Sequence, residues 1–322
     1  MATPENTVAV LIGRNEGARL KRCLASVAPQ SARMVYVDSG STDDSVAAAR
    51  AAGAEVVALD MQRPFTAARA RNAGVEAALA TGPVPVFVQF IDADCELQEG
   101  WLSKAIAHME HHPGTAVVCG RRRERFPDAS LWNRMIDTEW DTPVGLAKAC
   151  GGDALMRLEA FQAVGGFNPT LIAGEEPELC LRLRKTGWDI YRIDAEMTLH
   201  DAAMTSFRQW WRRARRAGHA YAEGTAMHGK SPERHKVAET RRAVLWGLVL
   251  PLTILVTTLF LSPWAMLLTL LYPLQILRLT LKGHPLPHAV FLTLAKLPEA
   301  RGVLQYWLTR LSGQKAGLIE YK

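Results

Sequence analysis

Cysteine is scarce in this 322-residue chain: Cys23, Cys95, Cys119, Cys150 and Cys180 are the five, widely spread and odd in number. No pair has zinc-ligand spacing, which argues against a zinc ribbon, and nothing suggests a disulfide framework. The glycine fingerprint of dinucleotide binding is also missing. The first apolar run leads instead into Gly13-Arg14-Asn15-Glu16, which disfavours a nicotinamide dehydrogenase. There is no internal repeat, no low-complexity segment and no nucleic-acid-binding motif, so no nucleic-acid partner is expected. The opening residues, Met-Ala-Thr-Pro-Glu-Asn, lack the charged and apolar regions of a signal peptide. Together with the cysteine usage, this predicts a reducing, cytoplasmic setting for the polar part of the chain.

What is present is unevenly distributed. Hydrophobic residues make up 48% and the formal net charge is +6. Arg212, Arg213, Arg215 and Arg216 form one basic cluster and Arg241-Arg242 another, both just before a long apolar stretch. Basic residues beside an apolar segment point to an anionic membrane surface. Residues 243–261 carry no charge and are long enough to span a hydrocarbon core, as are, roughly, residues 264–281. Ser262-Pro263 suggests a tight turn between them, and Arg278 can snorkel to the interface. Arg241-Arg242 and Lys282 put both flanks on the cytoplasmic face, so a two-helix transmembrane hairpin is expected. The alternative is a helical pair packed within the protein or lying in one leaflet. In the tail, residues 298–322, Val303, Leu304, Trp307, Leu308 and Leu311 follow helical spacing beside Arg301 and Arg310, which suits an interfacial helix.

The first part alternates. Apolar runs predict strands over 8–12, 34–37, 55–59 and 86–91, with helices over 18–27, 43–52 and 66–80 between them. This alternation implies an α/β fold with a mostly parallel sheet. Further helices are expected over 102–109 and 131–140, with an extended basic segment at 120–125 between them. A helix over 178–186 is expected to begin behind Pro177. The most informative feature is Asp92-Ala93-Asp94, at the end of the fourth apolar run. A strand ending in two carboxylates presents them at the carboxyl edge of the sheet, where open α/β folds bind ligands. Carboxylates grouped this way suit a hard divalent cation, which in turn holds a diphosphate.

Six short pieces occur in order: Asn15-Glu16; Val37-Asp38-Ser-Gly-Ser-Thr-Asp43; Ala70-Arg71-Asn72-Ala-Gly74; Asp92-Ala-Asp94; Gly151-Gly-Asp153; and Gly174-Glu-Glu-Pro-Glu178-Leu. In this ordered set the chain resembles membrane-attached members of glycosyltransferase family two, over roughly residues 7–220. The resemblance implies a GT-A fold over 1–225, then a basic linker (226–242), the hairpin (243–281) and an interfacial tail (282–322). It further implies an inverting transfer of sugar from a nucleotide-activated donor, uridine diphosphate-linked, to a lipid-linked or membrane-proximal glycan acceptor. Asp94 becomes the direct ligand of Mg²⁺ or Mn²⁺, Asp92 contacts ribose and supports the metal, and His200 is a candidate third ligand. Asn15, Glu16, Asp38 and Arg71 join the donor-binding set, with Asp38 on uracil, Glu16 on ribose and Arg71 on diphosphate. The family's usual Gly-Glu-Asp reads Gly174-Glu175-Glu176 here, which makes Glu176 the general base and Glu175 the runner-up. The Gln-x-x-Arg-Trp of processive relatives is represented only by Gln209-Trp210-Trp211-Arg212-Arg213, which speaks against long-polymer synthesis. A polyprenyl-phosphate glycosyl synthase and a non-catalytic nucleotide-sugar-binding protein stay open as alternatives.

Overall fold

Strands covered by helices on both faces must be apolar throughout, and Val8 to Leu11 are fully buried. The computed structural model describes residues 6–31 and 33–313. Its contacts divide the chain into two compact units, Met1–Ala203 and Met204–Lys322.

The first unit holds strands β1 (Thr7–Gly13), β2 (Arg33–Asp38), β3 (Glu55–Ala58), β4 (Phe87–Asp92), β5 (Cys95–Leu97), β6 (Thr115–Glu124), β7 (Gly145–Leu146), β8 (Ala154–Arg157) and β9 (Asp189–His200). Its α-helices are α1 (Ala18–Val27), α2 (Ser45–Ala51), α3 (Ala67–Thr81), α4 (Trp101–His111), α5 (Leu131–Trp140), α6 (Leu158–Ala163) and α7 (Glu175–Lys185). One sheet runs in the order β3-β2-β1-β4-β8-β6-β9-β5, with β7 paired to β9. The expected parallel α/β core is seen in the first four strands, where β1 pairs in parallel with β2 and β4, and β2 with β3. Beyond β4 the directions mix, because β8 runs antiparallel to both β4 and β6. The chain builds outward from β1 to β3, then crosses back to place β4 on the other side of β1. The carboxyl ends of β1 and β4 therefore flank a topological switch point, where such sheets leave a crevice.

Local chemistry explains the helices that frame this crevice. Leu20, Cys23, Leu24 and Val27 of α1 recur at three- and four-residue intervals and are buried, making one apolar face. Thr66 caps α3 by accepting from the Arg69 N–H. Within α3, a Cβ on Gly74 would lie 2.4 Å from Val10 Cγ1 and 3.1 Å from Val37 Cγ2. Only glycine lets the helix lie this close to β1 and β2, and Arg71 sits just under one turn earlier on it.

One boundary differs from the sequence expectation. Helix α7 begins at Glu175 rather than Glu178, with Gly174 at φ 79° as its N-cap. A left-handed residue there is cheap only for glycine. Pro177 becomes the third helical residue, still within the turn whose N–H groups lack intrahelical partners. Glu175 and Glu176 thus project from the helix's first turn instead of a preceding loop.

The second unit contains α8 (Phe207–His228), α9 (Val237–Val244), α10 (Leu250–Phe260), α11 (Leu271–Leu281), α12 (Leu286–Leu294) and α13 (Lys296–Leu311). Ser206 and Gln209 form a reciprocal capping box at the start of α8. A Cβ on Gly218 would meet the Glu299 carbonyl oxygen at 2.0 Å, and one on Gly302 the Arg215 carbonyl oxygen at 2.0 Å. These glycines let α8 and α13 pack backbone to backbone. That is why α8 groups with the C-terminal helices and the unit boundary precedes it, whereas the sequence-based boundary stood at 225.

Two continuous helical stretches, Val237–Phe260 and Pro263–Leu281, are long and apolar enough to cross a membrane. Only 6% of the first apolar window and none of the second is buried. A five-residue π-turn, Leu245–Val249, precedes Pro251 in the first stretch. Pro251 has no N–H to offer the carbonyl four residues back, and a widened turn absorbs that loss. On α13, Val303 is buried while Leu304, Trp307, Leu308 and Leu311 are exposed. The part of the expected interfacial helix beyond residue 313 lies outside the described residues.

Candidate active site

The carboxyl edge of the sheet gathers charged side chains from distant parts of the first unit. Register pairs Ile12 with Asp92 and Gly13 with Asp38, so Asp38 and Asp92 flank the end of β1. Strand β8 enters antiparallel beside β4, with Ala154 opposite Phe90, which brings Asp153 to the same edge. Short β5 pairs with the end of β9, Cys95 opposite His200, and this sets His200 against Asp94.

Asp92 is held from two sides. Arg71 Nη2 donates to its Oδ1 at 2.8 Å, and Arg122 Nη2 donates to its Oδ2 at 3.4 Å. The second amino group of Arg71 donates to Glu175 Oε1 at 2.7 Å, so one buried guanidinium links α7 to the end of β4. Burial alone would lower the Arg71 pKa, but the Asp92 and Glu175 charges outweigh it and raise it, so Arg71 stays charged. Asp153, fully buried, accepts from the Asp92 N–H at 3.0 Å and the Thr198 hydroxyl at 2.8 Å, and pairs with Arg122 Nε at 3.5 Å. A Cβ on Gly152 would fall 2.8 Å from Asp92 Oδ2 and 3.1 Å from Arg71 Nη2, so any side chain there would displace this network.

Asp94 faces His200 across the edge. Its Oδ2 lies 3.2 Å from His200 Nε2. Burial, reinforced by the Arg122 charge, pushes the His200 pKa down to about 3, which leaves the imidazole neutral. Its buried Nδ1 has no hydrogen-bond partner. Trp140 of α5 packs edge-on against His200, ring centres 4.8 Å apart, and under the Arg122 guanidinium at 4.7 Å. Ligand atoms of Asp94, Cys95 and His200 lie within 4.8 Å of one another. A carboxylate and a neutral imidazole suit Mg²⁺ or Mn²⁺, and four carboxylates (Asp92, Asp94, Asp153 and Glu175) against two guanidiniums leave room for a cation's charge.

The remaining expected site residues lie along this edge. Asp38 Oδ2 accepts from the Gly40 and Ser41 N–H groups at 3.1 and 3.0 Å, so it also caps its own turn. Asn15, at φ 54°, accepts from the Thr42 N–H at 2.7 Å and ties the end of β1 to the loop after β2. Glu16 pairs with Arg19 at 2.7 Å. Glu176 does not join the arginine network. Its carboxylate accepts from the Cys150 N–H in a short contact and from the Cys180 thiol at 3.3 Å, and burial raises its pKa.

Arg122, Trp140, Cys150 and Cys180 carry no role in the sequence motifs, and Asp153 stands in one of them without an assigned role. For Arg122 a signal existed. The basic run at 121–123 follows the apolar residues 116–119 across Gly120 on one strand, and a strand that buries its first half carries its charges into the same sheet edge.

Comparisons with known proteins agree with this architecture. The model of "Glycosyl transferase family 2" matches residues 9–163, and that of "Glycosyl transferase family group 2" matches residues 87–296. The chain is 27% identical over 213 residues to the pre-mycofactocin glycosyltransferase of Mycobacterium tuberculosis (strain CDC 1551 / Oshkosh), covering 61% of this chain. It spans about half the length of that relative or less, 43%. An uncharacterized glycosyltransferase of Mycobacterium tuberculosis (strain ATCC 25618 / H37Rv) is 33% identical over 189 residues, covering 56% of this chain and 79% of that protein. Among solved structures, mannosyltransferase PcManGT from Pyrobaculum calidifontis, in complex with GDP-Man and Mn²⁺, superposes with a TM-score of 0.64. That match covers 94% of this chain and 89% of the other at 18% identity, a likeness of fold.

Proposed function

Because this chain belongs to glycosyltransferase family 2 and has its GT-A type α/β fold, we propose that it transfers a sugar from a nucleoside-diphosphate donor to a lipid-linked or membrane-proximal glycan at the cytoplasmic face of a membrane. The observation that carries this reading is the Asp92–Asp94–His200 edge, braced by Arg71 and Arg122 at the switch point of the sheet. The Mn²⁺ and GDP-Man of the mannosyltransferase of similar fold support a divalent cation and a nucleoside-diphosphate sugar. The base is expected to be uracil, with Asp38 accepting from its imide N–H.

In this mechanism Asn15, Glu16 and Asp38 orient the nucleoside, and Arg71 and Arg122 present Asp92 toward ribose and the diphosphate. Asp94 and His200 hold Mg²⁺ or Mn²⁺, which when bound neutralises charge on the departing diphosphate. The acceptor oxygen attacks the anomeric carbon in line as the bond from that carbon to the diphosphate oxygen breaks, so configuration inverts. Glu176 receives the acceptor's proton. Binding is tested by thermal shift of the purified chain against a panel of nucleotide sugars with Mn²⁺. Stabilisation by UDP-sugars above other nucleotides is expected; no shift with any member overturns the donor reading.

A second reading is favoured by one observation. Glu176 is hydrogen-bonded to Cys150 and Cys180 and is only 7% exposed. A lipid phosphate acceptor arrives already ionised and has no need of a base, so a polyprenyl-phosphate glycosyl synthase accommodates a buried Glu176.

The membrane reading rests on Val237–Phe260 and Pro263–Leu281, whose apolar side chains are left uncovered. Cysteine-accessibility labelling is expected to find position 262 reachable only from the far side, and positions 241 and 282 only from the cytoplasm. Labelling of position 262 from the cytoplasm would show instead that the helices dip into one leaflet.

A further inference from the structure

Glu176 and Cys180 are one turn apart on α7 and so project from one face of the helix. The loop ahead of β8 brings Cys150 to the same place. Cys150 Sγ and Cys180 Sγ are 3.7 Å apart, and Cys180 Sγ is 3.3 Å from Glu176 Oε1. Ligand atoms of all three residues lie within 4.8 Å of one another; Cys180 and Glu176 are buried and Cys150 is 9% exposed. A tetrahedral zinc-class ion, with metal–sulfur bonds of about 2.3 Å and metal–oxygen bonds of about 2.0 Å, sets edges of about 3.8 Å between two sulfurs and about 3.5 Å between sulfur and oxygen. The two observed separations match those edges closely. The Cys150 N–H already orients the carboxylate oxygen that faces the sulfurs.

We infer that Cys150, Glu176 and Cys180 form a binding site for a thiophilic divalent ion of the zinc class, with a fourth position left open. The donors separate it from the Asp94–His200 pair. Two sulfurs and one oxygen select a borderline-soft ion, whereas carboxylate and imidazole accept Mg²⁺ or Mn²⁺. An ion held here ties up the Glu176 carboxylate, so occupancy inhibits transfer. This consequence rests on Glu176 acting as the base in the proposed reaction; binding itself does not.

The test is a Co²⁺ titration of the full chain, chelator-treated and reduced, with all five cysteines first shown to be free thiols by thiol titration. Wild-type protein is expected to bind with a thiolate-to-cobalt charge-transfer band and tetrahedral visible absorption. The band should survive Cys95→Ser, which removes the thiol beside Asp94. Cys150→Ser and Cys180→Ser should each abolish the two-sulfur spectrum, and Glu176→Gln, which removes a charged ligand, should weaken binding. Absence of the band with every thiol free, or its persistence in both Cys150→Ser and Cys180→Ser, overturns the site. In a transfer assay at saturating Mn²⁺, Zn²⁺ should inhibit the wild type. It should not inhibit Cys180→Ser, measured against that variant's own zinc-free rate. Zn²⁺ bound through both thiols with transfer undiminished would uphold the site and overturn Glu176 as the base.

Discussion

Asp94→Ala is expected to abolish turnover and to uncouple diphosphate binding from divalent cation. Asp94 is buried against a neutral His200, while the carboxylate oxygens of Asp92 are engaged by Arg71 and Arg122. Removing Asp94 therefore takes away the acid left facing the imidazole, and His200 alone is a poor anchor for a hard cation. A metal that stabilises a leaving diphosphate contributes several kcal/mol, so the rate should fall about a thousandfold or more. Calorimetry of nucleoside-diphosphate binding with and without Mn²⁺ measures the coupling, which should be large in the wild type and near zero in the variant. Asp94→Asn, which keeps the shape, separates loss of charge from loss of packing. Undiminished wild-type activity in EDTA would remove the metal from this mechanism altogether.

Glu176→Gln should lower kcat by about 10²–10⁴-fold, the range a positioned general base supplies. Glutamine keeps an oxygen that accepts from the Cys150 N–H, so the local fold is retained while proton acceptance is lost. Donor affinity should change little, because Glu176 has no bond to the Arg71–Asp92 network. Glu175→Gln tests the neighbouring carboxylate. It weakens an ion pair to buried Arg71 and should cost less, through the placement of Asp92. If Glu175→Gln proves the more damaging, the base is one residue earlier. If neither matters, the acceptor is a lipid phosphate, which needs no base.

Much of the first unit was legible because its signals are local. Apolar runs of strand length, Thr66 at a helix start and Asp92-Ala-Asp94 at a strand end each declare themselves within a few residues. The order of the six family pieces placed these elements on a GT-A sheet. The start of α7 was not legible, since Gly174 is recognised as a left-handed cap only once its backbone angle is known. The apolar stretches 243–261 and 264–281 were visible from composition, and the structure adds that almost none of their residues is buried.

Strand–helix alternation, the paired aspartates and the long apolar stretches follow from the chain alone, because each depends on residues adjacent in it. Only the tertiary structure decided which side chains meet. Asp153 reaches Asp92 because β8 turns antiparallel beside β4, and His200 reaches Asp94 because β5 pairs with the end of β9. Arg122 and Trp140 complete the cluster from β6 and α5. Cys150 and Cys180 have no ligand spacing in the chain, yet their sulfurs are 3.7 Å apart. Contacts of this kind are set by strand order and helix packing, which local propensity does not encode.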